Sequence, residues 1–208
     1  MRTKTLALGI AAIVIIAIGI IAITSGGGDD SPDASETDGA FIAEMKPHHE
    51  SAIEMANVAL TESEHPEVKE LAQAIVATQA AEVDELETIH DDLFGVAVAE
   101  GDHGTLGMQD HEMGMDMEAS TLAGERPFDR AFIDMMIPHH QGAIRMARVQ
   151  LAAGENARLT EISEAIIAGQ AREIEEMNSW RAEWYGSASP SGGVPAEEEA
   201  PSHEMMGH

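Results

Sequence analysis

The sequence predicts an all-α protein, a four-helix bundle made from two duplicated helical hairpins. Only 3% of the residues are aromatic, and the abundant Ala and Ile suit helices that pack through small side chains. Apolar residues recur with helical periodicity over residues 40–62, 66–95, 128–153 and 157–184. The breaks inside each successive pair are short, so each pair should form an antiparallel hairpin.

An internal repeat is the second observation that predicts this fold. Residues 41–60 align with residues 132–151 at 12 of 20 identical positions, with a constant offset of 132 − 41 = 91. The offset continues in the second helix of each hairpin, where Gln-x-x-Glu at 79–82 corresponds to Gln-x-x-Glu at 170–173. Duplication predicts a pseudo-twofold bundle in which each half covers the other's apolar face. The glutamates Glu82 and Glu173 should then either contact the first helix of their hairpin or lie at the solvent boundary.

Prolines and a capping residue mark where the helices begin. Pro66 suits the first turn of the second helix, and Asn156 suits the N-cap of the fourth. Pro47 and Pro138 lie well inside the first and third helical patterns. Each would remove one backbone hydrogen bond and kink its helix, unless the helix proper begins at the proline. The sequence leaves both alternatives open.

The two ends of the chain differ in character from the bundle, which should occupy residues 39–185. Residues 1–24 predict a signal anchor or a cleaved signal peptide, because Arg2 and Lys4 precede an apolar run over residues 6–23. We favour a retained membrane anchor, which places the body outside the cytoplasm, in the periplasm or at the cell surface. Residues 25–38 predict a flexible linker, residues 100–124 a Met/His-rich loop, and residues 186–208 a disordered tail.

Charge and cysteine content restrict the partners of the protein. With 11 Lys+Arg against 38 Asp+Glu, the formal net charge is −27, which repels nucleic acid and attracts cations. The alternative explanation for most of these carboxylates is that an acidic surface only keeps a secreted protein soluble. The chain has no cysteine, so any soft-metal ligand must be one of the 13 Met or 10 His. We expect a metal ion as partner, no nucleic acid, contact with the membrane through the anchor if it is uncleaved, and leave self-association into a homo-oligomer open.

Two His-His pairs carry the strongest chemical signal. On a helical wheel, each pair flanks the inward stripe and has methionines beside it at matching positions in both copies. Paired imidazoles with thioethers and without thiolates favour copper, with Cu(I) ahead of Cu(II), while Ag or Zn would also suit part of the set. For the methionines, filling gaps in the core is the competing explanation. The residues concerned are Met45, His48, His49, Met55, Met136, His139, His140 and Met146.

The loop between the hairpins predicts a second place for a soft cation. It has no periodic apolar face to bury, so core packing does not explain its methionines. Its candidate ligands are His111, Met113, Met115 and Met117, whose alternating spacing lets a flexible acidic strand wrap a soft ion. A disordered linker and an oxidant-scavenging methionine patch are the alternatives.

The paired Phe-Ile-x-x-Met-x-Pro-His-His-x-x-Ala-Ile-x-Met-Ala modules resemble a bacterial family catalogued as a domain of unknown function, number three hundred and five. The resemblance covers about residues 38 to 184 and implies a ferritin-like helical fold, copper binding and copper tolerance in the periplasm. Carried over by motif, it implies that the Met and His residues of both modules are the ligands. Phe128, Asp129 and Asp134 fit the family pattern better than Thr37, Asp38 and Ala43 do, which distinguishes the two halves.

The function that we expect is sequestration, tolerance or delivery of copper by a binding protein and not by an enzyme. A metal-free helical interaction module in the cell envelope is the first alternative. A ferritin-like di-iron oxidase is the second, but such sites need Glu-x-x-His on two helices. Only Glu87 to His90 has that spacing, and its counterpart is Asn178 to Arg181.

Overall fold

The computed structural model describes residues 36–96, 106–115 and 119–197. In chain order the helices are α1 (Glu36–Glu62), α2 (Pro66–Phe94), α3 (Asp110–Met113), α4 (Ala119–Leu122), α5 (Phe128–Ala153) and α6 (Ala157–Tyr185). No strand occurs within these ranges. The predicted bundle of two hairpins is confirmed: α1 packs against α2, α5 against α6, and α1 against α5. The largest boundary difference is at α1, which begins at Glu36 instead of near residue 40.

The ends of the long helices follow from local side-chain and backbone chemistry. Pro66 occupies the first turn of α2, where its missing N–H is not needed. The Asn156 side chain caps α6 by accepting hydrogen bonds from the N–H groups of Arg158 at 3.0 Å and Leu159 at 3.2 Å. Gly95 and Gly186 end α2 and α6 with left-handed φ angles of 68° and 88°, which glycine adopts without steric cost.

Both internal prolines lie within continuous helices. Pro47 is inside α1 and Pro138 is inside α5, so the alternative in which each helix begins at its proline is wrong. The two turns before each proline carry fully buried side chains, among them Phe41 and Phe132. Burying two large apolar side chains there contributes roughly 1.5–3 kcal/mol each, which offsets a cost of about 3 kcal/mol for an internal proline.

The buried core consists of two clusters, and each draws on both modules. One contains Met55 of α1 with Met136 of α5. The other contains Met45 of α1 with Met146 of α5. Since α1 and α5 each contribute an early residue to one cluster and a late residue to the other, the two helices run in opposite directions past each other. Neither hairpin therefore has a core of its own, as the duplication predicts.

A reciprocal pair of aspartates joins the two modules. Asp129 of the second module accepts hydrogen bonds from the N–H groups of Glu64 at 3.2 Å and His65 at 3.0 Å, at the turn between α1 and α2. Asp38 of the first module accepts one from the N–H of Glu155 at 3.2 Å, between α5 and α6. These aspartates are related by the repeat, since 129 − 38 = 91. Asp38 is thus a buried helical residue and not the end of the predicted linker, whose residues 25–35 lie outside the described residues.

The segment after α6 packs on the bundle. The Gln141 side-chain amide of α5 donates to the carbonyls of Ser191 at 2.9 Å and Gly193 at 2.6 Å, and Arg148 donates to that of Pro195 at 2.9 Å. The prediction of a disordered tail over residues 186–208 is therefore wrong for residues 186–197. Side chains of α5 fix the backbone carbonyls there, a contact that the Ser/Gly/Pro composition does not reveal. Residues 198–208 lie outside the described part.

A membrane-spanning helix is not found among the described residues, where no helix is both long and apolar enough to cross a bilayer. The predicted anchor over residues 6–23, and with it the whole segment 1–24, lies outside those residues.

Candidate metal centre

The two His-His pairs meet in the interior of the bundle. His48 and His49 of α1 and His139 and His140 of α5 are each at most 1% exposed. The ring centroids of His48 and His139 lie 3.8 Å apart, with the planes tilted by 36°, whereas those of His48 and His49 lie 6.2 Å apart. The closest imidazole contact is therefore made between the modules and not within a pair.

Two glutamates on the partner helices each lie close to one imidazole of a pair. His140 Nε2 of α5 hydrogen-bonds Glu173 Oε2 of α6 at 2.6 Å. His49 Nε2 of α1 lies 2.8 Å from Glu82 Oε2 of α2, at an angle less favourable for a hydrogen bond. Both glutamate side chains are largely buried, 8% exposed for Glu82 and 21% for Glu173. The expected contact with the first helix of each hairpin is thus present, and carboxylates of this kind orient ligating imidazoles.

The third partner is a backbone carbonyl of the loop between the hairpins. His48 Nε2 lies 2.9 Å from the carbonyl oxygen of Met113, at the end of α3. Two glycines allow this close approach, because a Cβ built at Gly142 would overlap the Met113 carbonyl, and one built at Gly114 would overlap the Pro138 carbonyl. Segment 106–115, which we call the cover segment, thereby sits directly on the His-bearing part of α5.

The cover segment corrects the prediction of a flexible strand with nothing to bury. Leu106 and Met113 are buried, and Met115 is partly buried against the same core cluster. His111 is exposed, and Met117 lies outside the described residues. Packing is thus a sufficient explanation for Met113, while His111 remains accessible to solvent. The alternative of a disordered linker is wrong for residues 106–115.

Burial keeps the two central imidazoles neutral. Loss of solvation lowers the pKa of His48 to about 3, and the nearby His49 lowers it further than burial alone would. Burial likewise moves the pKa of His139 well below its ordinary value, with His48 and His140 acting in the same direction. At neutral pH each of these two rings therefore carries one N–H and one free lone pair.

Several ring nitrogens in this cluster have no hydrogen-bond partner among the described residues. They are Nδ1 of His48 and His140 and both ring nitrogens of His49 and His139. Buried polar atoms are nearly always paired, and each exception calls for an explanation, such as an unrecorded ion. Neutral imidazole nitrogens that are buried and unpaired are suitable donors for a transition-metal ion.

The four candidate methionines are all buried, but they are grouped across the modules. Met45 shares a cluster with Met146, and Met55 shares one with Met136. A ligand set drawn from one module, such as Met45 with Met55, is therefore not brought together. Packing explains these side chains as well as ligation does, so the methionines remain candidates whose role is a prediction.

The donor set fits a soft ion better than a hard one. In the described ranges no three His, Asp or Glu side chains converge as a ready metal-ligand set. What the interior offers is paired imidazoles with thioethers in the adjoining clusters. Such neutral donors suit Cu(I) or Ag(I), which do not require several carboxylates.

The contact between Met113 and His48 was absent from the sequence-based prediction. Gly142 could have indicated it, because glycine lacks a Cβ and so permits a close approach of another backbone. The equivalent position in the first module is Ser51, since 142 − 91 = 51. That difference is the sequence signal that the connecting segment packs on one module only.

Fold and site together define a class: duplicated helical hairpins that enclose a cluster of histidines contributed by both copies. The chain belongs to the DUF305 family, a domain of unknown function, whose model matches residues 38–181 and again residues 129–208. The two matches begin 129 − 38 = 91 residues apart, which is the offset of the repeat. The predicted family membership is confirmed. No curated protein matches the chain.

Solved structures of the family share the fold. CopM in its Cu(I)-bound form is 37% identical, with a TM-score of 0.63, covering 72% of this chain and 98% of that one. The Ag-bound form of CopM, obtained by soaking, gives 37% identity, a TM-score of 0.62 and coverage of 72% and 97%. A DUF305 protein from Streptomyces coelicolor is 24% identical, with a TM-score of 0.66 and coverage of 74% and 96%.

Proposed function

We propose that this protein is an extracytoplasmic copper-binding protein that sequesters or delivers copper, with Cu(I) preferred over Cu(II), and that it is not an enzyme. The observation that carries the proposal is the pair of buried, neutral imidazoles of His48 and His139, whose ring centroids lie 3.8 Å apart. Unpaired imidazole nitrogens in that position can bind copper. The softer donors are the buried methionine thioethers in the two core clusters to which the same helices contribute.

Similarity to CopM supports the same role. The CopM structures carry Cu(I), Ag and Cu(II) in their names, and this chain covers nearly the whole of each. The apolar run over residues 6–23 behind two basic residues supports an extracytoplasmic location. An acidic exterior would concentrate cations near the bundle at low ionic strength.

Titration of the purified protein with Cu(I), against a chromophoric competitor, tests the proposal. Variants His48→Ala and His139→Ala should lose most of the affinity, because each removes a donor from the central pair. His90→Ala is the matched control, since that ring is partly exposed, lies outside the His48–His139 cluster and hydrogen-bonds the Val96 carbonyl at 2.9 Å. A further variant, His111→Ala with Met115→Leu, reports on the loop.

Three outcomes separate the candidate functions. Loss of binding in the central variants with retention in the His90 control supports a site in the bundle. Loss only in the loop variant moves the site to the cover segment. A protein whose melting temperature and spectrum ignore Cu(I) and Cu(II) is the metal-free envelope module instead, because a ligand that binds the folded state must raise its stability.

A further inference from the structure

We infer that the Met113 backbone carbonyl is a positioning group that fixes the Nε2–H tautomer of His48 and thereby presents Nδ1 as the atom that meets the metal. The inference rests on the proposed copper site and specifies the atom through which His48 would bind.

Hydrogen-bond chemistry determines the tautomer. A carbonyl oxygen only accepts, so at 2.9 Å it requires a hydrogen on His48 Nε2. In the opposite tautomer two lone pairs would face each other in a buried site. Because a neutral imidazole has one N–H, His48 Nδ1 carries the lone pair, and that atom is buried without a partner among the described residues.

His140 has the same arrangement of ring nitrogens as His48, and His49 does not. His140 Nε2 hydrogen-bonds Glu173, and its Nδ1 is unpaired. His49 Nε2 lies 2.8 Å from Glu82 without forming a hydrogen bond, so both ring nitrogens of His49 are unpaired among the described residues. Two of the four imidazoles, those of His48 and His140, therefore have a hydrogen-bond acceptor at Nε2 and an unpaired Nδ1. Metal-ligating histidines usually donate their other ring N–H to such an acceptor. For His48 the acceptor comes from the loop and not from a helix.

The carbonyl is kept in place by contacts specific to the second module. The Arg145 side chain of α5 donates to the Glu112 carbonyl at 3.1 Å, and Gly142 leaves the space that the Met113 carbonyl occupies. The repeat places His139 at the position matching His48, but both of its ring nitrogens lack a partner in the described part of the chain. A single connecting segment serves one module, so the tautomer of His139 is not fixed in this way.

The variant Gly142→Ala tests the inference, because a Cβ there must displace the Met113 carbonyl. Gly169→Ala is the matched control: this glycine also lies inside a long helix, and a Cβ there meets no atom within 4 Å. If Gly142→Ala does not fold, Arg145→Gln loosens the same segment more gently. Each full-length protein is studied by imidazole ¹⁵N NMR without metal and by Cu(I) competition.

Metal-free wild type should show His48 protonated at Nε2 and unprotonated at Nδ1, with the two tautomers of His139 mixed. Gly142→Ala should mix the tautomers of His48 and weaken Cu(I) binding about ten-fold or more, the usual effect of losing such an acceptor, while Gly169→Ala changes neither. A proton on Nδ1 of His48 in wild type, or unchanged affinity after the carbonyl is displaced, overturns the inference. The NMR result stands without copper, so it separates failure of this inference from failure of the proposed function.

Discussion

Acid should destabilise the metal-free protein well before its carboxylates are protonated. His48 has an ordinary pKa of 6.5 that burial lowers to about 3 in the folded state, and burial also lowers the pKa of His139 well below its ordinary value. Between the unfolded pKa and these lowered folded-state pKa values, the two histidines bind protons in the unfolded chain but not in the folded protein. Stability is therefore complete above the unfolded value near 6.5 and is lost progressively as the pH falls.

The size of the effect follows from the ordinary pKa of His48 and its lowered pKa in the folded state. At pH 5, about 1.5 units below the unfolded value, a group that stays neutral in the folded state costs roughly 2 kcal/mol, since one unit corresponds to about 1.4 kcal/mol. His48 alone should remove about 2 kcal/mol between pH 7 and pH 5, and His139, whose pKa is lowered in the same direction, should add to that loss. That is a large share of the roughly 5–15 kcal/mol that typically separates folded from unfolded domains.

Urea unfolding at pH 7 and pH 5, followed by circular dichroism in the presence of a copper chelator, measures this difference. The double variant His48→Asn/His139→Asn should have the same unfolding free energy at both pH values, whatever its absolute stability. Asp129 does not interfere: burial raises its pKa, but hydrogen bonds from Ser63 and His65 lower it more, so its contribution is lost only below about pH 4. Equal stability of the wild type at pH 7 and pH 5 would refute the inference that the buried His48 and His139 stay neutral in the folded protein.

Three further changes should have separate effects. Asp129→Ala should lower the free energy of unfolding by about 2–4 kcal/mol in urea titrations, because it leaves two backbone N–H groups at the start of α2 without their acceptor. A loss below the error of the method would argue against a stabilising role for the aspartate that joins the two modules. Glu173→Gln should weaken Cu(I) binding about ten-fold by removing the carboxylate that holds His140, whereas Glu50→Gln, on the exposed side of α1, should leave the competition curve unchanged. Gly169→Ala should raise stability by about 0.5–1 kcal/mol, as expected for alanine inside a helix with room for its Cβ, and a lower melting temperature would contradict that.

The fold could be predicted because two independent patterns agree. Helical periodicity gives the four long elements, and the 91-residue offset says that they form two equivalent hairpins. Burying each hairpin's apolar face against the other then brings His48 to His139. Local chemistry also predicted the first turn of α2 at Pro66 and the cap of α6 at Asn156.

Periodicity gives no information where single contacts fix the backbone. The cover segment has one helical turn, and what holds it is a set of hydrogen bonds to backbone carbonyls together with the space left by Gly142. Residues 186–197 are held in the same way, through Gln141 and Arg148. Contacts of this kind depend on the position of the partner helix, so they can be predicted only when the position of α5 is known.

The pairing of the methionines follows from the duplication and from the direction of the helices. Along each first helix the His pair stands between an early and a late methionine. Because α1 and α5 pass in opposite directions, the early Met45 meets the late Met146, and the late Met55 meets the early Met136. Each of these four methionines therefore shares a cluster with one from the other module, and a copy that unpacked from its partner would lose that neighbour.

The connecting segment then breaks the symmetry that duplication created. It adds Met113 to the cluster of Met45 and Met146 only, and it supplies an acceptor to His48 but not to His139. Gly142 makes this possible, and the serine at the matching position of the first module would obstruct an equivalent contact there through its Cβ. The duplicated helices α1 and α5 thus carry the same His-His pair in different surroundings. The difference between the two halves lies in the cover segment and in Gly142, and not in the histidines themselves.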